Sequence, residues 1–172
     1  TDANSCSASQ AVNVGEPSAA VSGSITSQTD VSCFGGNDGS FTVSGSGGVT
    51  PYEYQLGSGT FQPSGAFGAL LAGIYSITVR DANMCTYILP VTILQPSLAL
   101  AGSIAVTNIS CFGGSSGACD LTVTGGTTPY TFLWNNGAST EDINNLSAGN
   151  YSVTITDSHG CTFIVNTVVT QP

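Results

Sequence analysis

Six cysteines are the residues of this chain with the clearest capacity for chemistry. They are Cys6, Cys33, Cys85, Cys111, Cys119 and Cys161. No two of them form a CxxC pair that is followed by a second pair or by histidines, which is the spacing typical of a zinc site. Structural disulfides formed in an oxidising compartment are therefore the favoured interpretation.

The residue types of a hydrolytic triad occur once, at Asp157, Ser158 and His159. They are consecutive in a predicted turn, where neighbouring side chains diverge instead of relaying a proton. Glu141 and Asp142 are neighbours on a predicted strand and point to opposite faces, which argues against paired acid–base carboxylates. The sequence thus predicts no catalytic residue, and we expect a protein that is not an enzyme.

Loop oxygens of Asp38, Asp81 and Asn83 are candidate ligands for a structural Ca²⁺. Because no dense acidic cluster surrounds them, capping of turns by Asp and Asn is the favoured role. We therefore expect no metal site and no cofactor, with Ca²⁺ as the open alternative.

The charge balance excludes one class of partner. Ten acidic residues stand against a single basic one, Arg80, which gives a net charge of −9. This surface repels a polyanion, so binding to nucleic acid is not expected. The sequence has no apolar run long enough to cross a bilayer and no signal-peptide pattern. We expect a mature or excised extracellular segment.

One unit is written twice along the chain. The string SCFGG occurs at Ser32–Gly36 and at Ser110–Gly114, and the residues that follow both copies also correspond, as in GIYSITVRDANMC and GNYSVTITDSHGC. A fixed period sets the architecture before any single residue is interpreted. We predict full repeats at 19–97 and 98–172. Residues 1–18 match the end of a repeat, as the last strand of a preceding repeat or a donor strand for a neighbour.

Alternation of apolar and small polar residues predicts strands in both repeats. Tyr75, Ile77 and Val79 alternate with polar residues, as expected for one face of a half-buried strand. About seven short strands per repeat indicate an all-β, immunoglobulin or fibronectin type III-like β-sandwich. In the second repeat they are expected near 100–109, 119–125, 129–134, 138–141, 141–146, 150–156 and 161–170.

Two aromatic features favour this sandwich. Tyr75 and Tyr151 follow a Gly turn at the start of the penultimate strand, as in the tyrosine corner of such folds. Trp134 lies on the third strand, where these sandwiches bury a large aromatic. The first repeat has Gln55 or Leu56 at that place, so its core must be filled differently.

The order of motifs SC.GG..G, GG..PY, AG.YS.T..D and Cys resembles the SprB repeat family of Bacteroidota gliding adhesins. This resemblance implies a long, secreted, many-repeat protein at the cell surface that works as an adhesin or extracellular filament in gliding motility. It implies no catalytic role. The chain departs from the pattern where Leu56 replaces the usual tryptophan, where Ser116 replaces Asp38, and in the additional Cys119.

The cysteine pairing stays open at this point. One alternative joins cysteines within a repeat, Cys33 with Cys85 and Cys111 with Cys161. Seven strands would however place these loops at opposite poles, roughly 23 Å apart, whereas a disulfide spans Cα distances of about 4.4–6.8 Å. End-to-end stacking would instead let Cys33 bond Cys161.

Two further cysteines complete the alternatives. Cys119, aligned with Ser40, could face Cys111 across the first hairpin and form a local bridge. If the pairing runs between repeats, Cys6 must find its partner outside this segment.

The expected function is structural and adhesive, with neighbouring repeats or identical subunits of a fibre as partners. The alternative is a carbohydrate-binding module that stacks aromatic rings on a surface polysaccharide. Its candidates are Tyr52, Tyr54, Tyr130 and Phe132, although their alternation favours a role in the core. Three sequons, at Asn108, Asn145 and Asn150, are possible N-glycosylation sites.

Overall fold

The computed structural model of the chain describes residues 4, 5, 7, 9–12 and 15–172. Every helix or strand in these ranges is a β-strand. The strands are β1 Ser22–Thr29, β2 Gly39–Ser46, β3 Glu53–Leu56, β4 Ala66–Leu70, β5 Gly73–Arg80, β6 Thr86–Ile93, β7 Ala101–Thr107, β8 Gly117–Thr124, β9 Thr131–Trp134, β10 Ile143–Leu146, β11 Gly149–Thr156 and β12 Thr162–Val169.

Each repeat forms two antiparallel three-stranded sheets. Their strand orders are β1-β2-β4 and β3-β5-β6 in the first repeat, and β7-β8-β10 and β9-β11-β12 in the second. On β5 the alternate residues Ile77 and Val79 are fully buried, as are Val153 and Ile155 on β11. A period of two therefore directs one face of each strand into a core. The predicted all-β, immunoglobulin-like sandwich fold is confirmed.

Each repeat has six strands where about seven were predicted, and in the second repeat the missing one is at residues 138–141, which form no strand. A turn occupies this place: the Trp134 N–H donates to the Ala138 carbonyl at 2.9 Å, and the Gly137 N–H donates to the Trp134 carbonyl at 2.9 Å. The Thr140 hydroxyl then bonds the Asp142 carbonyl at 2.6 Å. Such local bonds use backbone groups that a strand ladder would need.

The two cores are separate and are filled in different ways. Trp134 is 1% exposed in the second core, and its indole N–H donates to the Thr140 carbonyl at 2.9 Å. The equivalent Leu56 is only partly buried against the first core. In that core the Phe41 ring lies 5.4 Å from the Phe67 ring and 6.2 Å from the Tyr75 ring.

The position of Cys119 corrects the alignment made from sequence. A side chain added at Gly39 would meet the Leu70 carbonyl, and one added at Gly117 would meet the Leu146 carbonyl, so these two glycines are equivalent. Counting two residues on from these glycines makes Cys119 equivalent to Phe41, and not to Ser40. The second core thus combines a large Trp134 with a small Cys119, whereas the first combines Leu56 with a large Phe41.

The predicted strand over residues 1–18 falls partly outside the described residues, since 1–3, 6, 8, 13 and 14 are not described. The described residues of this segment lie in no strand. Its assignment to a preceding repeat stays a prediction, as do the boundaries of the two repeats. Within the described ranges no helix has the length and apolarity required to span a membrane.

We expect Trp134→Ala to lower the free energy of unfolding of the second repeat by about 3–5 kcal/mol, because it removes a large buried aromatic and leaves a cavity. Urea unfolding followed by circular dichroism measures the change. Leu133→Ala is the matched control on the same strand, since Leu133 is 63% exposed, and should shift stability by less than about 0.5 kcal/mol. Equal losses in the two variants would contradict this account of the core.

Candidate functional site at the junction between the repeats

Two kinds of loop carry the cysteines. The SCFGG loop, Ser32–Gly36 or Ser110–Gly114, follows the first strand of its repeat. The Asp-Cys loop, Asp81–Cys85 or Asp157–Cys161, joins the fifth strand to the sixth.

The two loops of one repeat lie at opposite poles. Just beyond β1, the Val31 N–H donates to the Leu94 carbonyl at 2.9 Å, just beyond the end of β6. The SCFGG loop is therefore beside the end of β6, whereas the Asp-Cys loop is at its start, with the length of an eight-residue strand between them. At about 3.3 Å per residue this separation is far beyond the reach of a disulfide.

The SCFGG loop is a tight turn held by the end of its own repeat. The Gly36 N–H donates to the Cys33 carbonyl at 2.8 Å, and the Gly35 N–H donates to the Gln95 side-chain oxygen at 2.8 Å. Gly35 has φ of 75°, which glycine adopts without strain. The second repeat makes the same bonds, from Gly114 to Cys111 at 3.0 Å and from Gly113 to Gln171 at 2.9 Å.

A buried carboxylate organises each Asp-Cys loop. Asp157 accepts the backbone N–H groups of Thr127, His159 and Cys161, each at 2.9 Å. Burial of this carboxylate opposes its ionisation, but the three N–H donors outweigh that effect and the pKa of Asp157 is lowered. Its oxygens fix the backbone of the loop, and with it the position of Cys161.

Asp81 does the same in the first repeat. It accepts the N–H groups of Val49 at 3.0 Å, Asn83 at 2.9 Å and Cys85 at 2.8 Å. The Val49 N–H is the main cause of the lowered pKa of Asp81. Carboxylate oxygens that already accept backbone N–H groups do not offer a cation a free ligand. In the part of the chain that the structure describes, no three His, Cys, Asp or Glu residues gather as a metal site.

The two repeats are joined where the SCFGG loop of the first meets the Asp-Cys loop of the second. Cys33 and Cys161 form a disulfide there, with their Cα atoms 5.7 Å apart. Of the pairings that the sequence left open, the structure has the one between repeats. Cys85 and Cys111 are exposed free thiols, and Cys119 is a buried one. The within-repeat pairs and the local bridge from Cys111 to Cys119 are therefore wrong, while Cys6 lies outside the described residues.

Polar contacts also cross the junction. Nδ1 of His159 lies 3.3 Å from the Ser32 carbonyl oxygen, and the Ser32 hydroxyl and N–H both bond the Asp38 carboxylate. The pKa of Asp38 is lowered, first by the Ser32 hydroxyl, then by the Ser32 N–H, and to a smaller extent by the His159 charge. Sequence reasoning assigned His159 only to a turn, because nothing in the sequence shows that Ser32 lies across from it.

The consecutive Asp157, Ser158 and His159 do not form a catalytic relay. The Asp157 carboxylate is engaged by backbone N–H groups, and the Ser158 hydroxyl donates to the Thr127 carbonyl at 3.1 Å. The side chain of His159 reaches toward the other repeat. These three residues therefore build the junction.

Two sets of tyrosine hydroxyls bond the backbone four or five residues earlier. Tyr75 donates to the Leu71 carbonyl at 2.8 Å and Tyr151 to the Ser147 carbonyl at 3.0 Å, which is the geometry of a tyrosine corner. Sequence reasoning missed the second set, in which Tyr52 donates to Gly47 at 2.5 Å and Tyr130 to Gly125 at 2.6 Å. The PY motif that follows each Gly-Gly pair is the signal that marks it.

The aromatics considered for carbohydrate stacking belong to the cores. Tyr54 is buried, and its hydroxyl accepts the Gly45 N–H at 2.9 Å. Tyr52, Tyr130 and Phe132 are half-buried and pack against the two clusters of buried residues. The three sequon asparagines, Asn108, Asn145 and Asn150, are all exposed.

The SprB repeat family model matches residues 22–61 and 103–139, which include both SCFGG loops. The predicted resemblance to the SprB repeat family is thereby confirmed. Comparison with curated proteins gives no match.

Several solved structures match this chain at low sequence identity. One is the N-terminal eight immunoglobulin domains of Down Syndrome Cell Adhesion Molecule, with 12% identity, 89% of this chain and 25% of that chain covered, and a TM-score of 0.42. A C-terminal 282-residue fragment of intimin, solved with the intimin-binding domain of its translocated receptor, has 15% identity, 86% and 64% coverage, and a TM-score of 0.43. Domains 4–9 of the surface layer protein SbsC have 15% identity, with 92% of this chain and 31% of that chain covered, and a TM-score of 0.37. This chain spans less than two thirds of each of these structures.

The thiols should differ sharply in reactivity. Cys119 is 1% exposed, and burial raises its pKa, which lowers the reactive thiolate fraction. We expect a maleimide to label Cys85 and Cys111 in the folded protein and Cys119 only after unfolding, as read by mass spectrometry of digests. Rapid labelling of Cys119 in the folded chain would contradict the packing of the second core.

The stability of the second repeat should depend on pH through Asp157. Because its pKa is lower in the folded protein than the ordinary value of about 3.9, its stabilising effect is complete above that value and is lost as the pH falls through the folded pKa. We expect Asp157→Asn to lower the melting temperature at pH 6 more than at pH 2. Asp120→Asn, at an exposed carboxylate of the same repeat, is the control and should show little change at either pH.

Proposed function

We propose that this SprB-repeat segment is a mechanical element of an extracellular cell-surface adhesin or filament, in which stacked sandwiches supply reach and the disulfide carries the tension. SprB repeats support an adhesin-type role. A disulfide between repeats is in keeping with an oxidising, extracellular setting. Apart from neighbouring repeats of the fibre, we propose no ligand and no catalytic activity.

The observation that carries this proposal is that the Cys33–Cys161 disulfide gives tension a covalent path from one repeat to the other. The two cysteines are 128 residues apart in sequence. Tension applied to the two ends of the chain enters at Cys33, crosses the S–S bond and leaves from Cys161. Ten of the twelve strands, β2 to β11, lie between these residues, so the tension bypasses them, whereas β1 and β12 lie outside the loop and still carry it.

The surface contacts at the junction fit the same role. The His159 ring and the Ser32 carbonyl fix how one repeat sits on the next, and Asp157 holds the backbone beside Cys161 in place. A junction with both a covalent bond and polar contacts resists bending better than a single linker through 94–100 would. Length and stiffness are what a surface fibre needs.

Single-molecule stretching of the chain from its two ends tests the proposal. Unfolding should extend the oxidised chain less than the reduced chain by on the order of 400 Å, because a loop with a sequence separation of 128 stays closed and each residue spans about 3.3–3.6 Å when extended.

The Cys33→Ser and Cys161→Ser double variant should extend like the reduced chain without any reductant. Cys85→Ser is the matched control and should behave like the unchanged protein, because Cys85 is exposed and unbonded. Equal extension of the oxidised chain and the double variant would show that the disulfide does not carry the tension, and the proposal would fail.

A further inference from the structure

We infer that the two free poles of the chain are the two halves of a second junction, formed head to tail between copies of this chain by a disulfide from Cys111 of one copy to Cys85 of the next. The inference rests on the proposed function, because it extends the same junction from neighbouring repeats to neighbouring chains. The partner surface in each case is the complementary pole of an SprB repeat.

The first observation is that the free half-sites have the same internal bonds as the joined ones. The SCFGG loop at Cys111 is closed by Gly114 and held by Gln171, as the loop at Cys33 is closed by Gly36 and held by Gln95. The Asp-Cys loop at Cys85 is likewise held by Asp81. Both thiols are thus presented on backbones already shaped for the bond that Cys33 and Cys161 make.

The second observation is the exposure of apolar side chains beside the cysteines. Phe34, in the joined SCFGG loop, is 50% exposed, whereas Phe112, at the same place in the free loop, is 81% exposed. Met84 beside Cys85 is also exposed. Each free pole therefore presents an apolar side chain next to its thiol, and the phenylalanine of the joined SCFGG loop is less exposed than that of the free one.

The third observation is space at the free Asp-Cys pole. An open recess of about 560 Å³ lies between residues 16–21 and Cys85. Residues 16–21 correspond to 95–100, the linker that runs past the junction between the repeats. The recess is therefore placed to receive an SCFGG loop from another repeat.

Docking of two copies requires one terminal segment to move. Glu16 of one copy and Gln171 of the other correspond in the repeat, so they would compete for the same position beside the SCFGG loop. Glu16 is the residue that gives way, because it is exposed and residues 17–21 keep the recess in place.

The second junction also differs from the first in charge. Asn83 replaces His159, and Ser116 replaces Asp38. It thus lacks the imidazole that contacts the Ser32 carbonyl and the carboxylate that accepts the Ser32 N–H at the junction within the chain. Its formation should therefore depend on thiol chemistry and apolar contact.

Bond formation requires a disulfide oxidant, such as glutathione disulfide. The Cys111 thiolate attacks one sulfur of the oxidant and releases the other as a thiolate. The Cys85 thiolate then attacks the Cys111 sulfur of this mixed disulfide and releases the second oxidant thiolate. Two protein thiols thereby lose two protons and two electrons, and the oxidant is reduced to two thiols.

The test mixes two variants that each keep one half-site. Both carry Cys6→Ser, one with Cys85→Ser and the other with Cys111→Ser, and both are incubated in a glutathione thiol–disulfide buffer. We expect the mixed dimer joined through Cys111 and Cys85 to exceed each homodimer by about tenfold, whereas random pairing gives about twofold. Mass spectrometry without reduction measures the ratio, and digestion locates the bond.

Incubation in urea is the control and should return the ratio to the random value, because the shaped loops are lost. A random ratio in the folded protein, or no dimer at all, would overturn the inference. The same digests report whether Cys33 is bonded to Cys161. If that bond is present and the mixed dimer is absent, the inference fails and the proposed function stands. If that bond is absent, the proposed function fails as well.

Discussion

The structure depends on the separation of two cysteine-bearing loops by the full length of a strand. The SCFGG loop and the Asp-Cys loop of one repeat lie at opposite ends of an eight-residue strand, so their thiols cannot meet within that repeat. The same separation brings Cys33 against Cys161 once two repeats stack end to end. Because the strand is this long, the disulfide links two repeats and cannot form within one.

The Asp-Cys loop shows how a small sandwich can position a thiol without a large core. The Asp157 carboxylate accepts N–H groups from both sides of the loop, including that of Cys161 itself. An ionised acceptor makes stronger hydrogen bonds than a neutral one, and these N–H groups would otherwise be partly buried without a partner. The charge is tolerated because the bonds compensate for its burial, and the gain is a fixed backbone beside the sulfur.

Sequence reasoning reached the fold and the list of cysteines but stopped short of their pairing, for physical reasons that particular residues show. The period of two around Ile77 and the repeated SCFGG string are local signals, so they predicted a tandem β-sandwich. The pairing of Cys33 depends on how two folded units stack, which no local pattern records. The contact of His159 with Ser32 was missed for the same reason. The extra strand near 138–141 was wrong because Thr140 and Asn136 bond nearby backbone groups and favour a turn.

The two cores show which parts of the repeat are free to differ. The second core has a large Trp134 and a small Cys119 where the first has Leu56 and a large Phe41. Cores tolerate several simultaneous apolar substitutions when the pattern of apolar positions is kept. At the poles both repeats keep the cysteine and the aspartate or glutamine that holds each loop, although Asn83 and Ser116 stand where the joined loops have His159 and Asp38. A repeat can therefore change inside while its two ends stay interchangeable, and interchangeable ends are what allow stacked repeats to be extended without redesigning each junction.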